Sequence, residues 1–233
     1  MIALSVAILL FASTATTAAA PAAQPPGQLR QVTYKVSTGT RTYSGGEHYE
    51  GYSSNSTATV DNGTVIVDVT AVQSDTIGMS VTEQMSAAGG PVTYNGTVMP
   101  DGSVNFAPDT IKDVTRELLQ YFGPDMISAD KLTLGSTWDV NLNSNGVVAK
   151  TNYKVTKVDG GLVTLAEHQT ITFSTQNATV STEGTVTLKP SLLVPVSGDL
   201  HRTVNRLSLS GNNKTDVSLH FERVSDTLDQ PAK

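Results

Sequence analysis

The 233-residue chain contains no cysteine. This absence excludes disulfide bonds, thiolate metal ligands and the lipid-modified N-terminal cysteine of lipoproteins. Charged residues are scarce, at 15% of the chain, against about 25% in typical soluble proteins. The net charge is -6, and the 15 lysines and arginines are scattered along the chain. No basic patch of the kind that binds nucleic acid is therefore present, and no nucleic-acid partner is expected.

The first 22 residues have the pattern of a secretory leader. Residues 2–12 are apolar except for Ser5, and small residues follow as far as Ala22. A signal peptidase recognises an apolar segment followed by small residues in this way. We predict a signal peptide over 1–22, cleaved after residue 19, 20 or 22, a secreted or periplasmic protein, and no transmembrane span in the mature chain. The alternative is an uncleaved anchor, because residues 2–20 carry no charge.

After a linker at 23–28, apolar and polar residues alternate, which indicates strands with one buried and one exposed face. The clearest alternations centre on Val67, Met79, Val140, Val155 and Leu219. Turns are predicted at 61–63, 101–102, 145–146, 159–161 and 211–213, where glycine and asparagine or aspartate favour hairpins. We predict a single antiparallel β domain over 29–228, a barrel or half-barrel of about eleven strands, with a tail at 229–233.

One segment follows helical spacing. Ile111, Val114, Leu118 and Phe122 recur every three or four residues, with charged residues at 112, 113, 116 and 117 on the other side. This predicts an amphipathic helix from Asp109 to Phe122, ended by the Gly-Pro pair that follows. Its N-cap is either Thr110, which forms a capping-box variant with Asp113, or Asp109. Its apolar stripe should lie on the sheet, either as a plug or as a lid over a cavity.

No sequence motif for catalysis or cofactor binding is present. A Gly-x-Ser-x-Gly nucleophile elbow, a phosphate loop and a helical His-Glu-x-x-His are all missing. Metal-ligating residue types occur in three clusters: Glu47, His48 and Glu50; Glu167 and His168; His220 and Glu222. None of the clusters has a spacing that defines three ligands and an open position. We predict no catalytic residue, no metal ligand and no cofactor, and we expect His220 and Glu222 on a solvated strand face.

The order of elements and the segment Leu134-Gly-Ser-Thr-Trp138, which opens a strand after the helix, resemble a known architecture. Bacterial envelope domains of unknown function have a Gly-x-x-Trp start of a strand after a mid-chain helix. The chain is more distantly similar to the periplasmic lipoprotein-carrier half-barrels, which wrap a curved sheet around an apolar pocket. This resemblance implies a fold and carries over no functional residue. Trp138 either anchors the core or lines a ligand cavity.

These observations predict a non-catalytic binding or carrier protein of the cell envelope, which holds a lipid or another apolar small molecule between sheet and helix. The alternative is a structural or adhesive surface protein, which meets an envelope protein through a strand edge and has no small-molecule ligand. A hydrolase or metalloenzyme built from dispersed residues is the third interpretation. A large cavity beneath the helix would favour the first.

Overall fold

The computed structural model describes residues 28–45, 55–73, 76–107, 111–123, 129–144, 147–173, 178–190, 194–208 and 211–229. The predicted leader, the linker up to residue 27 and the tail after residue 229 lie outside these ranges, as do Glu47, His48 and Glu50. The described residues form one antiparallel sheet of eleven strands with one α-helix. The predicted mainly β fold is therefore confirmed.

The strands and the helix have the following bounds. Before the helix lie β1 (Arg30–Gly45), β2 (Asn55–Val72), β3 (Ile77–Met85), β4 (Val92–Val98) and β5 (Val104–Asn105). The helix α1 is Asp113–Gln120. After it lie β6 (Thr137–Ser144), β7 (Val147–Asp159), β8 (Leu162–Phe173), β9 (Ala178–Lys189), β10 (Val194–Ser208) and β11 (Gly211–Asp226). Short 3-10 helices occupy Ala129–Lys131 and Thr227–Asp229.

The strand order joins the two halves of the chain through its first and last strands. It is β5-β4-β3-β2-β1-β11-β10-β9-β8-β7-β6, and β1 pairs with β11 from Val32 and Asp226 to Gly45 and Asn212. Within the described residues β5 and β6 each pair on one side only, so the sheet is open. The architecture is thus the half-barrel form of the prediction.

The helix packs its apolar side against the middle of the sheet. Val114, Leu118 and Leu119 have no solvent-exposed surface, and α1 contacts β1 and β11. At the end of the helix, Phe122 meets the ring of Tyr34 edge to face, with 6.5 Å between the ring centroids. The apolar stripe therefore lies on the sheet as predicted. We call the face that α1 covers the concave face and the opposite one the convex face.

The start of the helix differs from the prediction. Lys112 is extended (φ -66°, ψ 154°), so α1 begins at Asp113 and not at Asp109, which lies outside the described residues. The backbone N–H of Lys112 donates a 2.8 Å hydrogen bond to the carboxylate of Glu83 on β3. A carboxylate from β3 therefore accepts a hydrogen bond at the start of the helix. Sequence patterns did not predict this start, because they detect only caps supplied by neighbouring residues.

Two predicted turns are wrong. β2 runs without a break through 61–63, where Asn62 lies opposite Ser37 and Gly63 lies opposite Met85 of β3. A Cβ on Gly63 would lie 2.4 Å from the carbonyl oxygen of Gln84, so this glycine allows two strands to approach closely. Residues 211–213 belong to β11. The turns at 101–102 and 159–161 are confirmed, while 145–146 lies outside the described residues.

Candidate functional site

A row of buried polar side chains crosses the concave face beside the helix. The row contains Thr151 on β7, Gln169 on β8, Thr182 on β9 and Arg202 on β10, which lie opposite one another in register. Each of them is at most 9% exposed. Directly opposed residues in antiparallel strands point to the same face, so these four form a continuous line. We call this line the polar belt.

Hydrogen bonds inside the polar belt satisfy its side chains. The amide of Gln169 donates to Thr151 Oγ1 at 3.1 Å, and Arg202 Nε donates to Thr182 Oγ1 at 3.3 Å. Buried polar groups are stable only when they have such partners. The belt thus crosses the concave face without leaving the Arg202 guanidinium or the Gln169 amide unpaired.

The helix contributes acidic partners to the polar belt. Arg202 forms an ion pair with Glu117 and a second one with Asp113, whose carboxylate lies 3.5 Å from Arg202 Nη1. Gln120 Nε2 also donates to Glu117 at 2.8 Å. Burial lowers the pKa of Arg202, and the charge of Asp113 opposes that shift. Glu117, predicted on the side of the helix away from the core, is therefore buried, because Arg202 reaches it from the sheet.

A buried carboxyl group lies at the other end of the helix. Glu167 on β8 is 3% exposed and accepts a hydrogen bond from the hydroxyl of Tyr121, the residue after α1. Among the described residues, its second oxygen, Oε1, has no partner. Burial raises the pKa of Glu167 to about 7, and the bond from Tyr121 opposes this shift. Burial also raises the pKa of Tyr121 and of Tyr153, the residue opposite Glu167 on β7.

An open groove of about 910 Å³ lies beside the start of α1, between the helix and strands β2, β1, β11 and β10. Hydroxyl groups line one part of the groove, and they belong to Thr38, Thr40, Thr42, Thr59 and Thr215. Apolar and charged side chains line the remainder: Val60, Met85, Ala87, Val204 and Val217, with Asp61, Lys112, Asp113 and Arg206. The side chains beneath α1 are packed core residues. The groove therefore lies beside the helix, and not beneath it.

Aliphatic side chains continue from this groove along the concave face. Their first row, in register, contains Ala149, Ile171, Val180 and Val204, and the next row contains Val147, Phe173 and Ala178. All of them except the buried Ala178 are half-buried. We call these two rows the apolar strip. The groove and the apolar strip thus place hydroxyl groups on β11, β1 and β2 next to an aliphatic surface on β7 to β10.

A second, shallower depression of about 630 Å³ on the sheet contains histidines. Its lining includes His168, His201 and His220, which are exposed on the convex face. His220 Nδ1 lies 2.6 Å from Asp199 Oδ1, so one carboxylate already orients that ring. Among the described residues, no three His, Asp or Glu side chains are placed to hold a metal ion. Glu167 and His168, adjacent in sequence, point to opposite faces of β8.

The single tryptophan belongs to the core and not to the groove. Trp138 is 7% exposed and stacks on Tyr153, with 5.3 Å between ring centroids. Lys131 Nζ lies 5.8 Å from the centroid of the same ring. Of the two predicted roles for Trp138, the structure therefore supports the core anchor.

Comparison with known proteins identifies no family for this chain. No family model matches the chain, and no curated protein matches it. A solved structure that matches is the crystal structure of Rv2717c from M. tuberculosis, which is 10% identical. The match covers 82% of this chain and 91% of that chain, with a TM-score of 0.31. Within the described ranges, no helix has the length and hydropathy needed to span a bilayer.

Proposed function

We propose that this protein is exported and serves as a non-catalytic binding protein of the cell envelope, which holds an amphipathic small molecule in the groove. The observation that carries the proposal is the open space of about 910 Å³ on the concave face. Small-molecule sites are concave and typically measure about 300–1,000 Å³. Threonine hydroxyls line part of this space, and Val204, which also lines it, belongs to the adjoining apolar strip.

The hydroxyl lining of the groove and the adjoining apolar strip suit different parts of one ligand. An aliphatic chain on Ile171, Val180 and Val204 would remove apolar surface from water, which contributes about 25 cal/mol for each Å² buried. Threonine hydroxyls both donate and accept hydrogen bonds, so they can bind a polar end or its hydration water. The apolar ligand expected from the sequence is therefore refined to an amphipathic one, bound beside the helix.

The arrangement of acidic and basic groups favours binding over catalysis. The described histidines lie on the convex face, away from the groove. The two groove carboxylates are engaged, Asp61 by the N–H of Ala87 and Asp113 by Arg202. General acid–base catalysis needs a titratable group within hydrogen-bonding reach of the reacting atom. The hydrogen bond from the Ala87 N–H lowers the pKa of Asp61, which makes this carboxylate a weak general base.

A matched pair of substitutions on one strand tests the proposal. Ile171→Asp places a charge in the apolar strip, whereas Thr172→Asp places the same charge on the exposed convex face of β8. Each protein is purified from its native host, and its bound small molecules are extracted and measured by mass spectrometry. We expect an amphipathic molecule with wild type and Thr172→Asp, and a large loss with Ile171→Asp. Equal retention by both variants, with circular dichroism unchanged, would contradict a ligand that extends from the groove onto the apolar strip.

The adhesive alternative has one supporting observation. Within the described residues β6 (Thr137–Ser144) pairs only with β7, so its outer edge is available for another strand. Replacing Asn141 by proline would remove a backbone donor from this edge strand. Retrieval of one envelope protein by wild type and its loss with Asn141→Pro, with ligand content unchanged, would favour this function over the first.

A further inference from the structure

The acidic side chains of the groove already have partners. Asp61 Oδ1 accepts hydrogen bonds from the N–H of Ala87 at 3.0 Å and from Ser86 Oγ at 2.9 Å. These bonds, that of the Ala87 N–H first, lower the pKa of Asp61 and keep it ionised. Asp113 is paired with Arg202 at 3.5 Å. Both carboxylates therefore already have partners within the protein.

The two cationic side chains of the groove, unlike its carboxylates, are not held in ion pairs with described residues. Lys112 and Arg206 are both exposed, and neither forms an ion pair with any residue that the structure describes. The charge of Lys112 helps to lower the pKa of Asp61, although the two groups form no ion pair. The groove thus has engaged acids and available cations, so its charges complement an anion.

The position of Arg206 relates this charge to the apolar strip. Arg206 lies two residues beyond Val204 on β10 and opposite Ala178, in the outer row of the strip. A chain on the apolar strip that ends at Ala178 or Val204 therefore has its end next to the strand position of Arg206. Arginine presents a planar fork of donors that matches the two oxygens of a carboxylate. Lys112 lines the other side of the groove, across the threonines.

We propose that the groove selects a single aliphatic chain ending in a carboxylate, with the carboxylate at Arg206 and the chain on the apolar strip. This inference rests on the proposed function and specifies its ligand. The threonine hydroxyls would then bind water in the outer part of the groove. Lys112 would contribute a weaker, longer-range attraction for the carboxylate.

Three probes with the same aliphatic chain distinguish the contribution of the headgroup to binding from that of the aliphatic chain. Dodecanoate, dodecanol and dodecyltrimethylammonium, each below its micelle concentration, are titrated into the full chain by calorimetry. The proteins are wild type, Arg206→Gln, Lys112→Gln and Arg41→Gln, the last an exposed arginine on the convex face of β1. We expect dodecanoate to bind most tightly to wild type. Arg206→Gln should weaken dodecanoate about tenfold, which is about 1.4 kcal/mol, and leave dodecanol unchanged. Lys112→Gln should have a smaller effect, and Arg41→Gln none.

The other outcomes identify which proposal fails. Equal affinity for dodecanoate and dodecanol, unaffected by Arg206→Gln, would overturn the anionic selectivity and leave the proposed function standing. Tightest binding of dodecyltrimethylammonium would also overturn it, and would assign the headgroup to Asp61 or Asp113. Binding of none of the three probes would instead count against the proposed function. Circular dichroism of each variant shows whether the fold is intact, and all substituted side chains are exposed.

Discussion

Replacing Glu167 by glutamine should change how the stability of the protein depends on pH. The pKa of this buried carboxyl is about 7, against an ordinary value of 4.5. At about 1.4 kcal/mol per pH unit, the difference corresponds to about 3 kcal/mol. Because the folded state binds the proton more tightly than the unfolded state, this stability is complete below pH 4.5 and is lost as the pH rises to about 7. Above that pH, the folded state holds a buried charge that forms no ion pair with any residue in the described ranges.

The assay is urea unfolding of wild type and Glu167→Gln at a series of pH values from acidic to alkaline. The free energy of unfolding of the variant, relative to wild type, should rise by about 3 kcal/mol between pH 4.5 and about pH 7 and then stay constant. Glutamine removes the ionisation, although its new amide donor adds a cost that does not depend on pH. The exposed residue Glu222 provides the control, since Glu222→Gln should show no such change. A difference between variant and wild type that is independent of pH would refute this reasoning.

Two further substitutions test the packing of the concave face. Arg202→Ala should destabilise the fold by about 3–5 kcal/mol in urea unfolding, because it leaves Glu117 charged and buried. The double variant Arg202→Met with Glu117→Leu should cost less than Arg202→Ala, and an equal or larger cost would show that the pair itself stabilises the fold. Gly63→Ala should cost about 1–3 kcal/mol, since its Cβ would meet the backbone of Gln84. Gly90→Ala, with no atom near its Cβ, should be close to neutral, and equal effects at both glycines would contradict the close approach of β2 and β3.

The alternation of apolar residues was sufficient to predict the buried faces of the strands that carry it. Val65, Val67 and Val69 are buried as their spacing indicates, and so are Leu219 and Phe221. This works because side chains alternate between the two faces of a strand, whatever its neighbours are. Turn signals were less reliable, because glycine after asparagine also suits a strand in which a neighbour approaches closely.

The site depends on register, which the sequence does not reveal. The polar belt and the apolar strip are assembled from β7 to β10, and Glu117 reaches Arg202 only because the helix lies on that part of the sheet. One local signal was present. On β1, one face carries Val32, Tyr34 and Val36 and then changes to threonine at 38, 40 and 42. A strand face that changes from apolar to hydroxyl residues halfway along its length indicates where the core ends and an open surface begins.

The absence of cysteine allows a direct measurement of occupancy in the groove. A Thr42→Cys variant places the only thiol of the protein in the groove, and an Arg41→Cys variant places it on the convex face. The rate of alkylation by iodoacetamide is followed while dodecanoate or dodecanol is added. We expect alkylation at position 42 to slow in proportion to binding and to level off at one equivalent, with no change at position 41. Unchanged alkylation at position 42 with both amphiphiles, or equal slowing at the two positions, would contradict a ligand in the groove.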